Sequence, residues 1–194
     1  MTTRFTWISS GATPSLRKAT FAPEDGLEAK AVTQAAALVG TLPQADRIRC
    51  SPDRAARETT CAIGLVPTHA IEEADPHLSE IDFGHWRGKA LMDIQAEDPA
   101  GLMSWVTDPA AAPHGGESIA AFCARIALWL EHQALEPGFV HVIGPANGLR
   151  AAVLHCLQLP PSGFRRIDAV PLGISSFSCH DGQWRLQALN CPNL

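Results

Sequence analysis

Short apolar runs alternate with helical patterns along this chain, and that alternation leaves few folds open to it. Residues 5–8, 47–50 and 139–143 are brief apolar stretches, each stopped by small or turn-forming residues, which is the signature of a buried strand. A weaker strand is expected at 68–71. Between them, Leu27, Ala31, Ala35, Leu38 and Val39 recur at helical spacing, and Gly40 closes the pattern. Ser51 as N-cap and Pro52 at the first helical position predict a helix from 53 to about 63. A helix over 118–133 presents Ile119, Phe122, Ile126 and Leu130 on one face, and another runs from Gly144-Pro145 to about Leu157. Residues 14–25 read as loop. Near the C-terminus, Asp181-Gly182 between apolar runs at 173–179 and 184–189 predicts a type I′ hairpin. The expected fold class is α/β: three layers, with a central mostly parallel sheet, an antiparallel end and helices on both faces.

Length sets the scale. A chain of 194 residues suits one domain, 1–194, with a small cap-like insertion at about 75–117, where the regular pattern lapses and Trp86 and Trp105 appear. With 46% hydrophobic and 18% charged residues the chain has ample material for a core. A net charge of −5 and scattered Lys and Arg argue against a nucleic-acid partner. No apolar stretch approaches the ~20 residues of a membrane helix, and the N-terminus lacks a signal-peptide h-region. The expected setting is the cytoplasm. Six cysteines without a C-x-x-C pair predict buried thiols rather than a zinc ribbon, and no cofactor or metal is expected.

Ligands of open α/β sheets bind beyond the carboxyl ends of the parallel strands. That directs attention to Ser9-Ser10-Gly11, Cys50-Ser51-Pro52 and Gly144-Pro145-Ala146. All three junctions are small and nearly neutral. Helix N-termini there can offer N–H groups to an anion.

The order of motifs resembles the histidine phosphatase superfamily, the phosphoglycerate-mutase-like proteins, along nearly the whole chain. Leu78-Ser79-Glu80-Ile81-Asp82-Phe83-Gly84-His85-Trp86-Arg87-Gly88 matches that family's Leu-x-Glu-x-Asp-Phe-Gly-x-Trp-x-Gly in full, as Pro113-His114-Gly115-Gly116-Glu117-Ser118 matches Pro-x-Gly-Gly-Glu-Ser. Ser51-Pro52-Asp53-Arg54-Ala55-Ala56-Arg57-Glu58-Thr59 stands where the family has Ser-Pro-x-x-Arg-Ala-x-x-Thr. Ser9-Ser10-Gly11-Ala12-Thr13 stands for Arg-His-Gly-x-Thr, and Gly144-Pro145-Ala146-Asn147-Gly148-Leu149-Arg150 for Ser-His-Gly-Gly-x-x-Arg.

The resemblance implies a phosphohistidine mechanism whose parts are mostly absent. Ser10 occupies the nucleophile's slot, Ser9 and Ala55 the slots of two phosphate-holding arginines, and Pro145 that of the second histidine. The family's Asn falls at Leu16. Only the proton donor, Glu80, remains. Each cation ~4 Å from a phosphate charge is worth roughly 4 kcal/mol at an effective dielectric near 20, and phosphoryl transfer depends on such neutralisation. Pro145 also lacks a backbone donor. The expectation is therefore a catalytically inactive protein on this fold, with a ligand-binding, regulatory or scaffolding role. The alternative is a phosphomonoester hydrolase with a remodelled site using Ser10, Glu80 and His114 or His85. Ser10, Gly11, Thr13, Glu80, His114, Glu117 and Ala146 are the pocket candidates. A small anionic metabolite or a protein is the expected partner, and the chain could form an oligomer. No membrane partner is expected.

Overall fold

The computed structural model describes residues 2–21, 24–65 and 74–191. Its five-stranded sheet has the order β2-β3-β1-β4-β5, built from β1 (Thr2–Ser9), β2 (Arg47–Cys50), β3 (Gly138–Gly144), β4 (Ile174–His180) and β5 (Gln183–Cys191). β1 and β2 both run parallel to β3, while β4 lies antiparallel to β1 and β5 to β4. The sheet is thus parallel at one end and antiparallel at the other. The hairpin joining β4 to β5 turns through Asp181 and Gly182 at φ 48° and 76°. Both values are positive, as a type I′ turn requires. The strand expected at 68–71 lies outside the described residues.

Two helix layers cover the sheet. On one face Phe5, Trp7, Val140 and Val142 pack with α6 (Ile119–Ala134) and α7 (Ala146–Cys156) through Phe122, Ile126, Leu149 and Leu154. On the other, Ile8, Ile143 and Cys50 meet Ala35 of α2 (Ala29–Ala36) and Ala56 of α3 (Arg54–Ala62), together with Leu38 and Ile63 just beyond those helices. The segment from 74 to 117 contributes two 3-10 turns, α4 (Leu91–Glu97) and α5 (Pro99–Thr107). Phe21, Phe83, Trp86 and Trp105 interlock there, with ring centroids 5.1–5.9 Å apart.

Three local expectations change. The tract 14–25 is not all loop: Thr13 accepts from Leu16 N, and Pro14 opens the one-turn helix α1 (Pro14–Arg17). The helix after β2 begins later than its Ser-Pro signal implies. Asp53 is the N-cap residue of α3, and Ser51 Oγ instead donates to Asp53 Oδ2 at 2.5 Å. α2 stops at Ala36 because Leu38 and Val39 bond back only three residues, to Ala35 and Ala36, before Gly40 at φ 75°. Among the cysteines, Cys50, Cys123, Cys156 and Cys179 are buried, whereas Cys61 is exposed and Cys191 partly so. Among the described residues no helix is long and apolar enough to cross a membrane.

Candidate functional site

Register assembles the site. Ser9 pairs with Gly144, and Cys50 with Ile143, so β1, β2 and β3 end side by side. The following residues continue the alignment: Ser51 N donates to Ile143 O at 2.8 Å, and Ser10 N to Gly144 O at 2.9 Å. Gly11 N then donates to Thr59 Oγ1 of α3 at 2.9 Å, while Thr59 Oγ1 donates to Ala55 O. The three small junctions singled out by sequence therefore meet at one end of the sheet.

Ser10, expected from the resemblance to stand in a nucleophile's place, is chemically quiet. Ser10 Oγ donates to Gly144 O at 3.0 Å, an acceptor that cannot act as a base. Among the described residues, neither His85 nor His114 is hydrogen-bonded to Ser10. Ser9 is fully buried, and its hydroxyl has no hydrogen-bond partner. It points to the same face of β1 as Trp7, whose indole lies against Gly144 and Gly148 at the start of α7. A Cβ on Gly148 would come 2.5 Å from Trp7 Cζ2, so the glycine is required by the indole. Ala55 offers only a methyl group. Its neighbour Arg54 is exposed and pairs with Glu58 at 2.7 Å. Pro145 is the buried N-cap of α7, and Ala146 is the first residue of that helix. Thr13 is spent on capping α1.

Glu80 is the exception. Its Oε1 accepts from Ile81 N at 2.8 Å and from Asn147 Nδ2 at 2.9 Å. Burial pushes its pKa up to about 7 against the opposing effect of those two donors; Asp53 adds to the rise and Arg150 opposes it. Asp53 Oδ2 in turn accepts from Glu80 N at 2.9 Å. Asn147 Oδ1 takes a bond from Arg150 Nη1 at 2.7 Å, and Arg150 Nε reaches Ile167 O. A guanidinium is thereby linked to the surviving acid through a single amide.

The two fully matched motifs pack on each other through bare backbone. A Cβ on Gly84 would lie 2.1 Å from His114 O, and one on Gly116 2.1 Å from Asp82 O. Glu117 N donates to Asp82 O, and the Glu117 carboxylate takes both Nε and Nη2 of Arg125, at 2.9 and 2.7 Å. Arg125 also donates to His77 O and Ser79 O, fixing the strand of chain that leads into Glu80. His114 is 0% exposed, and its Nδ1 accepts from Gly116 N, which leaves the ring proton on an unpartnered Nε2. Burial among Phe83, Trp86 and Trp105 lowers its pKa. His85 is exposed. Among the described residues no group of three or more His, Cys, Asp and Glu is placed to hold a metal.

Sequence reasoning did not single out Asn147, Asp53 or Arg125 as site residues. Asn147 carried a signal, since it replaces the second glycine of a Ser-His-Gly-Gly motif. Arg125 carried none: it reads as one polar residue on an apolar helix.

A family model described as the histidine phosphatase superfamily (branch 1) matches residues 18–192. The chain belongs to the histidine phosphatase superfamily. Glucosyl-3-phosphoglycerate phosphatase of Mycobacterium tuberculosis is 34% identical over 141 residues, 68% of this chain and 62% of that protein. Adenosylcobalamin/alpha-ribazole phosphatase of Salmonella typhimurium is 34% identical over 106 residues, 52% of this chain and 50% of its own length. The matched stretches thus span less than two thirds of these relatives. Among solved structures, the alpha-ribazole phosphatase of Shigella flexneri superposes with a TM-score of 0.87 at 21% identity, covering 98% of both chains. A mycobacterial glucosyl-3-phosphoglycerate phosphatase with VO3 gives 0.82 at 27% identity, covering 97% of this chain and 98% of that one.

Proposed function

We propose that this superfamily member does not run phosphohistidine chemistry and has a ligand-binding, regulatory or scaffolding role. The observation that carries this reading is Ser10: the residue in the nucleophile's slot gives its proton to a main-chain carbonyl, and its neighbours Ser9, Ala55 and Pro145 supply no cation. A phosphoryl group there would meet the N-terminal dipole of α7 and a carboxyl group, while Arg150, the guanidinium nearby, is engaged by Asn147 Oδ1 and Ile167 O. Incubation with a panel of phosphomonoesters tests the reading. No release of phosphate above background is expected; turnover abolished by Glu80→Ala would contradict it.

A second reading, phosphomonoester hydrolysis by a remodelled site, draws more support from the relatives, since both are named as phosphatases. Glu80 is the group that favours it here. A carboxyl poised near neutrality is suited to proton transfer at physiological pH. In this reaction Glu80 would accept a proton from water as its oxygen attacks phosphorus, and the P–O bond to the alcohol would break with the proton returned to the leaving oxygen. Neither Ser10, bonded to Gly144 O, nor the enclosed His114 is arranged to join that step. A rate that follows the ionisation of Glu80 separates this reading from the first.

A further inference from the structure

Two guanidinium groups come together beside the Glu80 network, and neither is paired with a carboxylate. The 3-10 helix Pro161–Arg166 packs against α7. Arg150 of α7 lies along it, with Cζ 5.9 Å from the Phe164 ring and Nε donating to Ile167 O at 2.8 Å. Its side chain therefore spans the turn that carries Arg165. Arg165 itself rests on the cap: its Cζ sits 3.8 Å over the Trp105 ring of α5, and its Nη2 donates to Trp105 O at 3.2 Å. Such a stack fixes a guanidinium in place without neutralising it.

A guanidinium carries five N–H donors and no acceptor. Arg150 spends Nε on Ile167 O and Nη1 on Asn147 Oδ1, which leaves Nη2 without a partner among the described residues. Arg165 spends only Nη2, so its Nε and Nη1 are likewise unspent. The charges of Glu80 and Asp168 are felt by Arg150, but neither carboxyl forms an ion pair with it. Arg165 is worse placed: packing against the cap, and then the charge of Arg150, lower its pKa, and no carboxylate opposes them. Trp105 adds one more donor, since it is 8% exposed and its indole N–H has no partner. Donors thus gather here in excess of acceptors, around two cations that repel each other. Half-buried cations are ordinarily paired. Arg165 is exposed, so a solute can reach it.

We propose that this pair is an oxyanion site, in which the carboxylate or phosphate of a small metabolite lies between Arg150 and Arg165 and takes the unspent donors of both. A fork of this kind matches the oxygens of either group. The site gives the ligand-binding role proposed above its ligand class, and it rests on that role. Asn147 joins it to the retained acid, because the amide that accepts from Arg150 also donates to Glu80.

Isothermal titration calorimetry of the full chain with inorganic phosphate and, separately, malonate, at constant ionic strength, tests the proposal; glycerol serves as the uncharged control. Saturable binding of at least one oxyanion is expected, and none of glycerol. Arg165→Met keeps a side chain over Trp105 and should raise Kd by at least about tenfold. Arg165→Lys keeps the charge without the fork and should raise it less. Arg166→Met, at the exposed neighbouring position, should leave Kd unchanged. Circular dichroism and melting temperature of the free proteins should be the same throughout. Tighter binding of phosphate than of malonate supports the site with a phosphorylated metabolite as ligand, and the reverse supports it with a carboxylate. Lack of saturable binding of either oxyanion, or a Kd that Arg165→Met leaves intact, overturns it. Phosphomonoester turnover alongside an Arg165-dependent Kd would contradict the role proposed above and support this site; absence of both turnover and binding would overturn this site alone.

Discussion

Asn147 Nδ2 lies 2.9 Å from Glu80 Oε1, so the first turn of α7 holds the Glu80 carboxyl. The bond favours the charged carboxylate and works against burial, which dominates and leaves the pKa at about 7. Replacing Asn147 by Leu removes a donor from the charged form. The carboxyl should then titrate higher still, by roughly one unit. Carbon-13 NMR titration of the Glu80 carboxyl reads this directly.

Stability should fall as pH rises through the same interval. In the unfolded chain Glu80 titrates near the ordinary glutamate value, and in the folded protein near 7. Between those values the folded state binds more protons, so this group's destabilising contribution is absent in acid, grows through the window and is complete above about 7. Glu80→Gln keeps an oxygen for Ile81 N and Asn147 Nδ2 while abolishing the titration. It should stabilise the protein above pH 7 by up to about 3 kcal/mol and leave acid stability little changed. Urea unfolding of both proteins across pH measures the difference.

Arg125 and Glu117 form a forked pair whose second arm grips the chain before Glu80. Arg125→Met should cost roughly 2–4 kcal/mol, because it strands a half-buried carboxylate and two carbonyls. The double variant with Glu117→Gln should cost less than the sum of the single variants. A thermodynamic cycle by denaturant melts checks both statements.

Gly148→Ala should destabilise by roughly 1–3 kcal/mol, since the added methyl meets the Trp7 ring. Trp7→Leu opens that space, so the combined variant should recover part of the loss relative to Trp7→Leu alone. Melting temperatures of the four proteins decide it.

What could be read from the sequence was what local chemistry enforces. Asp181-Gly182 specified its turn because few residues tolerate two consecutive positive φ values, and the apolar runs specified the strands because only a sheet buries both their faces. The close backbone approach at the glycines of the two matched motifs was not read from the sequence, because the partner of each, Gly84 with His114 and Gly116 with Asp82, is a tertiary fact. The N-cap of α3 was misplaced by two residues because Ser51 and Asp53 both qualify locally; Asp53 Oδ2 accepts from Glu80 N, a bond to a distant segment that local sequence does not show. His114 shows the same limit. Its spacing in a loop allowed a role in the pocket, but its enclosure by Phe83, Trp86 and Trp105 depends on residues scattered along the chain.

Rapid acid or base quench of the protein mixed with a phosphomonoester labelled in its phosphoryl group tests the central claim most directly. On the proposed reading, with the Ser10 hydroxyl bound to Gly144 O, no protein-bound phosphoryl group should form at any mixing time. A stoichiometric phospho-enzyme that forms and decays with turnover, on Ser10 or on a histidine, would contradict the account.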